Sequence, residues 1–460
     1  MSEAQSSPPS SPSPLGVRIW NTLKVYLEPR VLVILFLGFS AGLPLALSGS
    51  TLLFWMAEAG VDIKAIGLFS LAGTPYTIKF FWAPLVDALN IPILSKLLGR
   101  RRGWLIFSQL LLMAAIFFLG SLDPVSAPWW VAFGAVLVAT ASATQDIVID
   151  AFRVESLDDD QQAAGMANYV AAYRVGLLVS TAGAIGLVEY FERAGVVQEN
   201  LWFYGYAIMA LLIVVGMVAV LFSKEPETSQ EVAEELDENK FDAITRLWRG
   251  AVDAFVDFFT KPYAIVILLF VLMFKFCDSF AGVMTGPFVV KIGFERVDYV
   301  ALVKGVGFAA ALLGGFAGGF LARAVPMANA LWIAGILQMA SNLVFAWLAW
   351  VGVNQAALGL TIAVENFTGG IGTVVFVAYL STLTRNALHT ATQFALLTAF
   401  AAVGRTYLAS VSGFVVDATG WMWFFIITAF AAIPGFILLA WLQSRGHFED
   451  AQHNINAPGN

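Results

Sequence analysis

Charged residues are scarce in this sequence, and so are cysteine and histidine. Lys, Arg, Asp and Glu together make up 12% of the 460 residues, about half the share that is typical of a soluble domain. The single cysteine, Cys277, excludes a disulfide within the chain and is most simply a small packing residue. The three histidines, His389, His447 and His453, form no metal-ligand cluster in the sequence. We therefore predict no metal and no cofactor.

Apolar residues are abundant instead: they make up 59% of the chain, and the mean hydropathy is +0.78. Runs of about 20 apolar residues, the length that crosses a bilayer as a helix, recur from end to end. They are too long and too rich in glycine for barrel strands, so the sequence predicts an all-α polytopic membrane protein. The twelve predicted spans are residues 31–56, 63–88, 103–120, 126–152, 163–188, 202–222, 263–290, 299–322, 327–351, 355–383, 390–416 and 420–442.

The distribution of basic residues predicts the orientation of these spans. With the N-terminus inside, the cytoplasmic segments hold sixteen Lys and Arg residues and the opposite segments hold four. Because basic residues favour the cytoplasmic side, this asymmetry predicts that both termini are cytoplasmic. The N-terminal stretch SEAQSSPPSSPSP lacks the apolar run of a signal peptide, and we expect it to be a disordered tail.

An acidic stretch, SKEPETSQEVAEELDENK, separates the sixth span from the seventh. Apolar side chains recur at helical spacing in residues 241–259, so we predict an amphipathic helix on the cytoplasmic membrane face. Twelve spans divided evenly by a linker are typical of the major facilitator superfamily, in which two six-helix halves move about a central site. The predicted division is a tail and pre-helix at 1–30, a six-helix half at 31–222, the linker at 223–262, a second six-helix half at 263–443 and a tail at 444–460.

The fourth span contains two acidic residues one helical turn apart, in the stretch TQDIVIDAFRVE. A charge at the bilayer centre costs at least about 2.5–3.5 kcal/mol, so each one needs a reason. Asp146 and Asp150 share a helix face, with Gln145 beside it. Two carboxylates this close repel each other when both are ionised, so one can hold a proton, which suits proton coupling. The alternative is an ion-pair latch of Asp150, Arg153 and Glu155 at the helix end.

The seventh and tenth spans also carry ionisable residues near their midpoints. Lys275 and Asp278 can pair on one face of the seventh span, either to neutralise each other or to open and close with protonation during transport. We predict that Asp278 takes part in proton coupling and that Lys275 also binds substrate. Glu365 in the tenth span has no basic residue within a turn. We predict that it is a proton carrier, neutral when buried or paired across helices. Its neighbour Asn366 is predicted either to hydrogen-bond substrate or to join helices.

Other polar and aromatic residues within the spans are candidates for substrate binding. Lys79, Arg174 and Arg405 are placed to face a central cavity, where they would attract an anionic solute, and arginine is well shaped to bind a carboxylate. Lys304 lies near a span end, where we expect it to snorkel to the interface. Aromatic residues could stack on sugar rings, although they also pack between helices or face lipid. The predicted aromatic binding residues are Tyr76, Trp82 and Tyr173.

Several blocks of the sequence resemble those of the AmpG muropeptide permease family. In chain order they are SAGLPLALSGSTLLFWM, GLFSLAGTPYTIKFFWAPLVD, GRRRGWL, SATQDIVIDAFRVE, FKFCDSFA, ENFTGGIGT and ATQFALLTAFAAVGR, and they span both halves. The combination is specific, whereas one block alone would not be. Gln393, in the last block, joins the predicted substrate-binding residues together with Gln145.

The resemblance implies a carrier of the bacterial inner membrane that takes up GlcNAc-1,6-anhydro-MurNAc peptides from periplasm to cytoplasm. It implies that uptake depends on the proton gradient, feeds peptidoglycan recycling and carries the inducing signal in bacteria with an inducible β-lactamase. The expected partners are the muropeptide, protons and the lipid bilayer, with no nucleic acid, and we expect a monomer. A muropeptide bears several carboxylates, which fits a cavity of basic residues, amides and aromatic rings.

The loop between the second and third spans looks like a variant of the superfamily's cytoplasmic gating motif. The insertion NIPILSKLLG separates its aspartate from the arginines, and Ala88 stands where a base often follows. The residues predicted to hold the inward end closed are Asp87, Arg101, Arg102 and Arg153. Some family members carry two further C-terminal spans, and we expect transport not to need them.

One other function stays open on the sequence alone, and two further classes are disfavoured. The acetyl-CoA transporter family shares a related motif in the fourth span and also moves an anion, so charge does not separate it from a muropeptide carrier. A membrane-embedded enzyme would need a histidine, a metal cluster or an acid–base site in the spans, so we predict that the protein is not an enzyme. A sensor that does not transport would not need ionisable groups in the fourth, seventh and tenth spans together.

Overall fold

Helices make up the regular structure of the residues that the computed structural model describes, which are 24–158, 161–226, 259–260, 262–383, 397 and 400–448. Ten helices within these residues are long and apolar enough to cross a bilayer. We number each helix by the predicted span in which it lies. The long helices are α1 (Pro29–Glu58), α3 (Arg100–Gly120), α4 (Pro128–Ser156), α5 (Ala164–Arg193), α6 (Gln198–Phe222), α7 (Ala264–Ile292), α8 (Arg296–Ala324), α9 (Met327–Val351), α10 (Gln355–Leu383) and α12 (Trp421–Ser444).

The second and eleventh spans are broken into short pieces. α2 covers residues 63–88, and α11 is described from residue 400 to residue 419. Pro75 and Pro84 each stand in the first turn of a piece of α2, where proline can begin a helix but cannot continue one. The pieces of α2 are Ile63–Leu68, Phe69–Gly73, Thr74–Ile78, Lys79–Phe81 and Ala83–Ala88, and those that end α11 are Leu408–Val411 and Ser412–Thr419.

These elements confirm the all-α membrane fold that the sequence predicts. The predicted linker helix and most of both tails lie outside the described residues. We refer to α1–α6 as the first half and to α7–α12 as the second half.

Glycine permits the closest helix crossings in each half. α1 packs on α5 so tightly that a Cβ atom at Gly42 or Gly176 would overlap the backbone of the facing helix. α8 meets α10 in the same way at Gly314 and Gly370. Small residues have this role in membranes because association there depends on close packing rather than on exclusion of water.

Gly42→Ala is expected to lower the melting temperature of the purified protein in detergent. The new Cβ would meet the carbonyl oxygen of Tyr173, and backbone cannot move aside as a flexible side chain can. Overpacking of this kind costs about 1–3 kcal/mol. The control is Gly186→Ala in α5, where nothing lies within 4 Å of an added Cβ. There the better helix propensity of alanine should hold or raise the melting temperature, and an equal fall in both variants would contradict this account.

Six of the ten long helices lose their regular hydrogen bonding part-way along, including α6 at residue 213 and α12 at residues 431–432. α1 breaks at residues 48–49, four residues after Pro44, and α7 breaks at Lys275. α5 and α8 contain the π-helical turns Val179–Gly183 and Tyr299–Val306, which contact each other across the two halves. Irregular backbone at membrane depth is tolerated where it lines a cavity. The breaks in α1, α5, α7 and α8 therefore indicate where such a cavity lies.

The helices begin and end on two opposite sides of the bundle. α1 ends at Glu58 and α8 begins at Arg296 on one side, which we call the Glu58 end. α6 ends at Phe222 and α7 begins at Ala264 on the other side, which we call the linker end.

The two halves contact each other at the Glu58 end. A Cβ atom at Gly413 of α11 would overlap the carbonyl oxygen of Ile63 at the start of α2. The rings of Phe54 in α1 and Tyr299 in α8 lie 4.5 Å apart between centroids. Both contacts join the first half to the second, so this end is closed in the structure.

Candidate functional site

A cavity of about 790 Å³ lies between the halves, beside the broken segments of α1, α5, α7 and α8. Its wall includes Ser48 and Gly49 from the break in α1 and Thr181 from the π-helical turn in α5. The predicted site residues that line it are Tyr76, Arg174, Lys275, Asp278, Glu365, Asn366 and Arg405. Sequence positions far apart in both halves are therefore brought to one polar wall.

Lys275 and Asp278 form an ion pair on this wall, as their spacing predicts. Lys275 Nζ lies 2.7 Å from Asp278 Oδ2 and 3.4 Å from Thr373 Oγ1 of α10. The pair faces α10 closely, because a Cβ at Gly369 would lie 3.9 Å from Asp278 Oδ1. The break at Lys275 sets this residue at the end of one helical piece, three residues before its partner.

Glu365 lies one turn before Gly369 on α10 and is half-buried. Asn366 Nδ2 donates to Glu365 Oε2 at 2.5 Å and to the carbonyl oxygen of Ile362 at 3.0 Å. Within the described residues Glu365 forms no ion pair. Its carboxylate is thus held by an amide and faces the cavity without a base in ion-pair contact.

Three basic side chains on the cavity wall have no carboxylate partner within the described part of the chain. Arg174 and Arg405 are exposed to the cavity. Lys304 lies in the π-helical turn of α8, with Nζ 5.2 Å from the ring centre of Tyr299. The sequence placed Lys304 near a span end, but the structure places it on the cavity wall instead. Together these bases can bind the carboxylates of a solute.

The remaining predicted residues of α2 and α4 lie beside the cavity and not on its wall. Lys79 Nζ is 3.9 Å from Asp146 Oδ2, so this base is occupied by a carboxylate of its own half. Gln145 is fully buried, and neither of its amide atoms has a hydrogen-bond partner in the described part of the chain. Asp146 Oδ1 also lacks one, whereas Asp150 is exposed. The roles predicted for these residues stay predictions.

The predicted aromatic binding residues divide in the same way. Tyr76 lines the cavity. Trp82 Nε1 donates to Thr144 Oγ1 of α4 at 3.1 Å, so the side chain of Trp82 has a structural role in joining α2 to α4. Tyr173 packs against Tyr169 in a tilted arrangement, with 6.0 Å between ring centroids. Stacking on a sugar ring therefore fits Tyr76 best.

The arginines predicted to gate the linker end make contacts within the first half. Arg101 Nε donates to both carboxylate oxygens of Glu155, at 3.1 and 2.9 Å. Arg102 donates to the carbonyl oxygens of Val220 and Leu221, both at 3.0 Å. These contacts join the ends of α3, α4 and α6.

Three other gating and binding residues were predicted from the sequence. Arg153 donates to Gln162 Oε1 at 3.2 Å and so joins α4 to the segment that leads into α5. The side chain of Asp87 and the whole of Gln393 lie outside the described residues. A gating role for Asp87 and the arginines stays a prediction.

A charged cluster at the Glu58 end has no counterpart among the residues predicted from the sequence. Arg296 Nε donates to Glu58 Oε1 at 2.5 Å, and the same guanidinium pairs with Glu192 and lies 3.5 Å from Glu189. Only 10% of the Arg296 side chain is exposed. One base of the second half thus joins three carboxylates from α1 and α5 of the first half. The sequence offers one sign of this cluster, because Glu58, Glu189 and Glu192 all lie at span ends on the side that carries few basic residues.

Comparison with known proteins assigns the chain to a family. Residues 34–407 match the model of the Major Facilitator Superfamily. The anhydromuropeptide permease of Escherichia coli strain K12 is 38% identical over 91% of this chain and 80% of the relative. The chain belongs to the anhydromuropeptide permease (AmpG) family of this superfamily. The putative transporter AmpG 4 of Rickettsia conorii is 31% identical over 92% of this chain and 98% of the relative.

Solved transporter structures share the fold of this AmpG family member. A POT family transporter in complex with 5-aminolevulinic acid has a TM-score of 0.65 and 13% identity, covering 89% of this chain and 95% of its own. A mutant of the nucleoside transporter NupG has a TM-score of 0.62 and 13% identity, covering 90% and 99%. Identities this low show the fold alone. The relatives are permeases and transporters, so the predictions of a major facilitator fold and of a protein that is not an enzyme are confirmed.

Proposed function

We propose that this protein imports anhydro-muropeptides from the periplasm to the cytoplasm, across the bacterial inner membrane and coupled to protons. The observation that carries the proposal is the set of bases without carboxylate partners, within the described residues, on the wall of a central cavity. It occurs in a chain that is 38% identical to an anhydromuropeptide permease. The proposal includes cytoplasmic termini and a monomeric carrier.

The cavity suits a bulky anionic solute. A volume of about 790 Å³ lies in the upper part of the range for ligand sites, which is roughly 300–1,000 Å³. Arg174, Lys304 and Arg405 can bind the carboxylates of a peptide, and Tyr76 can pack against a sugar ring. Asn366 adds an amide that can donate to or accept from the solute.

Import requires the Glu58 end to open towards the periplasm. With cytoplasmic termini, the Glu58 end is the periplasmic end, and the structure shows it closed by the Arg296 cluster and by the contact of Gly413 with Ile63. Opening must separate Arg296 from three carboxylates of the other half. Solute binding between the halves then favours closure of this end, and release follows at the linker end.

Proton coupling is assigned to carboxylates on or beside the cavity wall, two of which lie next to bases. Asp146 pairs with Lys79, and Asp278 pairs with Lys275. A proton taken up by either carboxylate removes its charge and frees the base, so that protonation and the binding of an anion favour each other. The residues proposed for coupling are Asp146, Asp150 and Asp278.

Competition for binding tests the substrate class. Purified protein in detergent is given a radiolabelled GlcNAc-anhydro-MurNAc peptide, and unlabelled muropeptide or acetyl-CoA is then added in excess. We expect the muropeptide to displace the label and acetyl-CoA to leave it bound. Displacement by acetyl-CoA at equal or lower concentration would instead support the carrier of another bulky anion.

A further inference from the structure

The charges on the cavity wall do not balance within the described part of the chain. Lys275 and Asp278 neutralise each other at 2.7 Å. Within the described residues, Arg174, Lys304 and Arg405 form no ion pair with a carboxylate, and Glu365 forms none with a base, although the charges of Lys304 and Lys275 act on it from beyond contact distance. The wall thus carries an excess of positive charge, so a solute that complements it carries more than one carboxylate, and a cationic group on the solute would pair with Glu365.

The Glu365 carboxylate is held on the cavity wall in a position where it can bind a group of the solute. Its only hydrogen-bond donor within the described residues is Asn366, which also donates to the helix backbone at Ile362 and so fixes the carboxylate on the cavity wall. A half-buried carboxylate without a counter-ion is unfavourable in a membrane. An ammonium group of the solute would supply the missing charge, and its three N–H donors could reach the free oxygen.

We propose that Glu365 is the subsite for a primary amine of the substrate, with Arg174, Lys304 and Arg405 binding its carboxylates. The amine is a side-chain amine of the peptide in the proposed muropeptide substrate. This inference rests on the proposed function. It gives Glu365 a role in recognition in place of the proton-carrying role predicted from the sequence.

Two matched substrates test the subsite on the wild-type protein. Both are anhydro-disaccharide peptides that differ only in one residue, lysine in the first and Nε-acetyl-lysine in the second. Acetylation removes the positive charge and leaves Glu365 unpaired in the complex. A hydrogen bond to a charged group is worth about 1.5–3 kcal/mol, which corresponds to roughly 10- to 150-fold in affinity. We expect the free amine to bind tighter by a factor in this range.

The variant Glu365→Gln distinguishes recognition from proton transfer. Glutamine keeps the size of the side chain and loses its charge, and Glu199→Gln in the exposed first turn of α6 is the matched control. We expect Glu365→Gln to bind both substrates about equally and still to accumulate them under a proton gradient, and Glu199→Gln to behave as wild type. Affinity is measured on the purified proteins and accumulation in proteoliposomes.

The other outcomes each decide between the proposals. Equal affinity of wild-type protein for the two substrates would overturn the amine subsite alone. Loss of accumulation of both substrates by Glu365→Gln, with the amine preference retained, would overturn it and make Glu365 a proton carrier. If wild-type protein bound neither substrate, the proposed function would fail and the subsite with it.

Discussion

Gly413→Leu is expected to lower uptake by at least about tenfold while both halves stay folded. A side chain at this position would collide with the backbone carbonyl of Ile63 across the interface between the halves. Overpacking costs about 1–3 kcal/mol, which shifts an equilibrium between two conformations by roughly 5- to 150-fold. A leucine held against backbone should reach the upper part of that range. The variant would therefore keep the Glu58 end open and stop the transport cycle.

Cross-linking across the Glu58 end measures this closure directly. Lys64 Nζ and Asp417 Oδ2 lie 2.9 Å apart and belong to different halves. Cysteines placed at these two positions should be joined by a short bifunctional thiol reagent when the end is closed. Cys277, the only native cysteine, is buried and should contribute little background. We expect efficient cross-linking in the otherwise native sequence and a marked loss of it when Gly413→Leu is added.

The matched control for this experiment is Gly186→Leu. It introduces the same side chain in α5 at a place where nothing lies within 4 Å of an added Cβ. Uptake and cross-linking should both stay near the level of the unsubstituted protein. If Gly413→Leu also transported normally, the contact of α2 with α11 would not be part of the cycle.

Asp146→Asn is expected to abolish accumulation of substrate above equilibrium. Asparagine can neither take up a proton nor pair with Lys79, which lies 3.9 Å from the carboxylate. A carrier that has lost coupling can still exchange substrate down its gradient, so counterflow should persist. The measurement is uptake in proteoliposomes with an inward proton gradient, compared with counterflow in its absence.

A double variant separates coupling from the loss of an ion pair. Asp146→Asn leaves Lys79 as a half-buried base without its carboxylate, and that alone could impair transport. Adding Lys79→Gln removes this charge as well. If coupling depends on the Asp146 carboxylate, the double variant still fails to accumulate substrate. Restored accumulation would mean that Asp146 serves only to neutralise Lys79.

The fold and part of the site could be predicted because the bilayer restricts what a sequence can do. Helices of spanning length must be apolar, so composition alone revealed most of them. Ionisable residues at membrane depth are too costly to face lipid. For this reason the sequence by itself indicates that Asp278 and Glu365 face a central cavity, and both line its wall.

The closed end could not be predicted, because its contacts join distant parts of the chain. Arg296, Glu58 and Glu192 each look like an ordinary loop charge in the sequence, and no periodicity relates them. The prediction that Lys304 snorkels to the interface was wrong for a different reason. A π-helical turn shifts the face on which the following residues lie, and the sequence YVALVKGV carries no mark of such a turn.

Uptake of radiolabelled anhydro-muropeptide into proteoliposomes tests the central claim most directly. Liposomes that contain the purified protein are compared with and without an inward proton gradient, and with an added protonophore. The account predicts accumulation above equilibrium only when the gradient is present. Accumulation that is unchanged by the protonophore would contradict proton coupling, and absence of uptake by folded protein would contradict the proposed substrate.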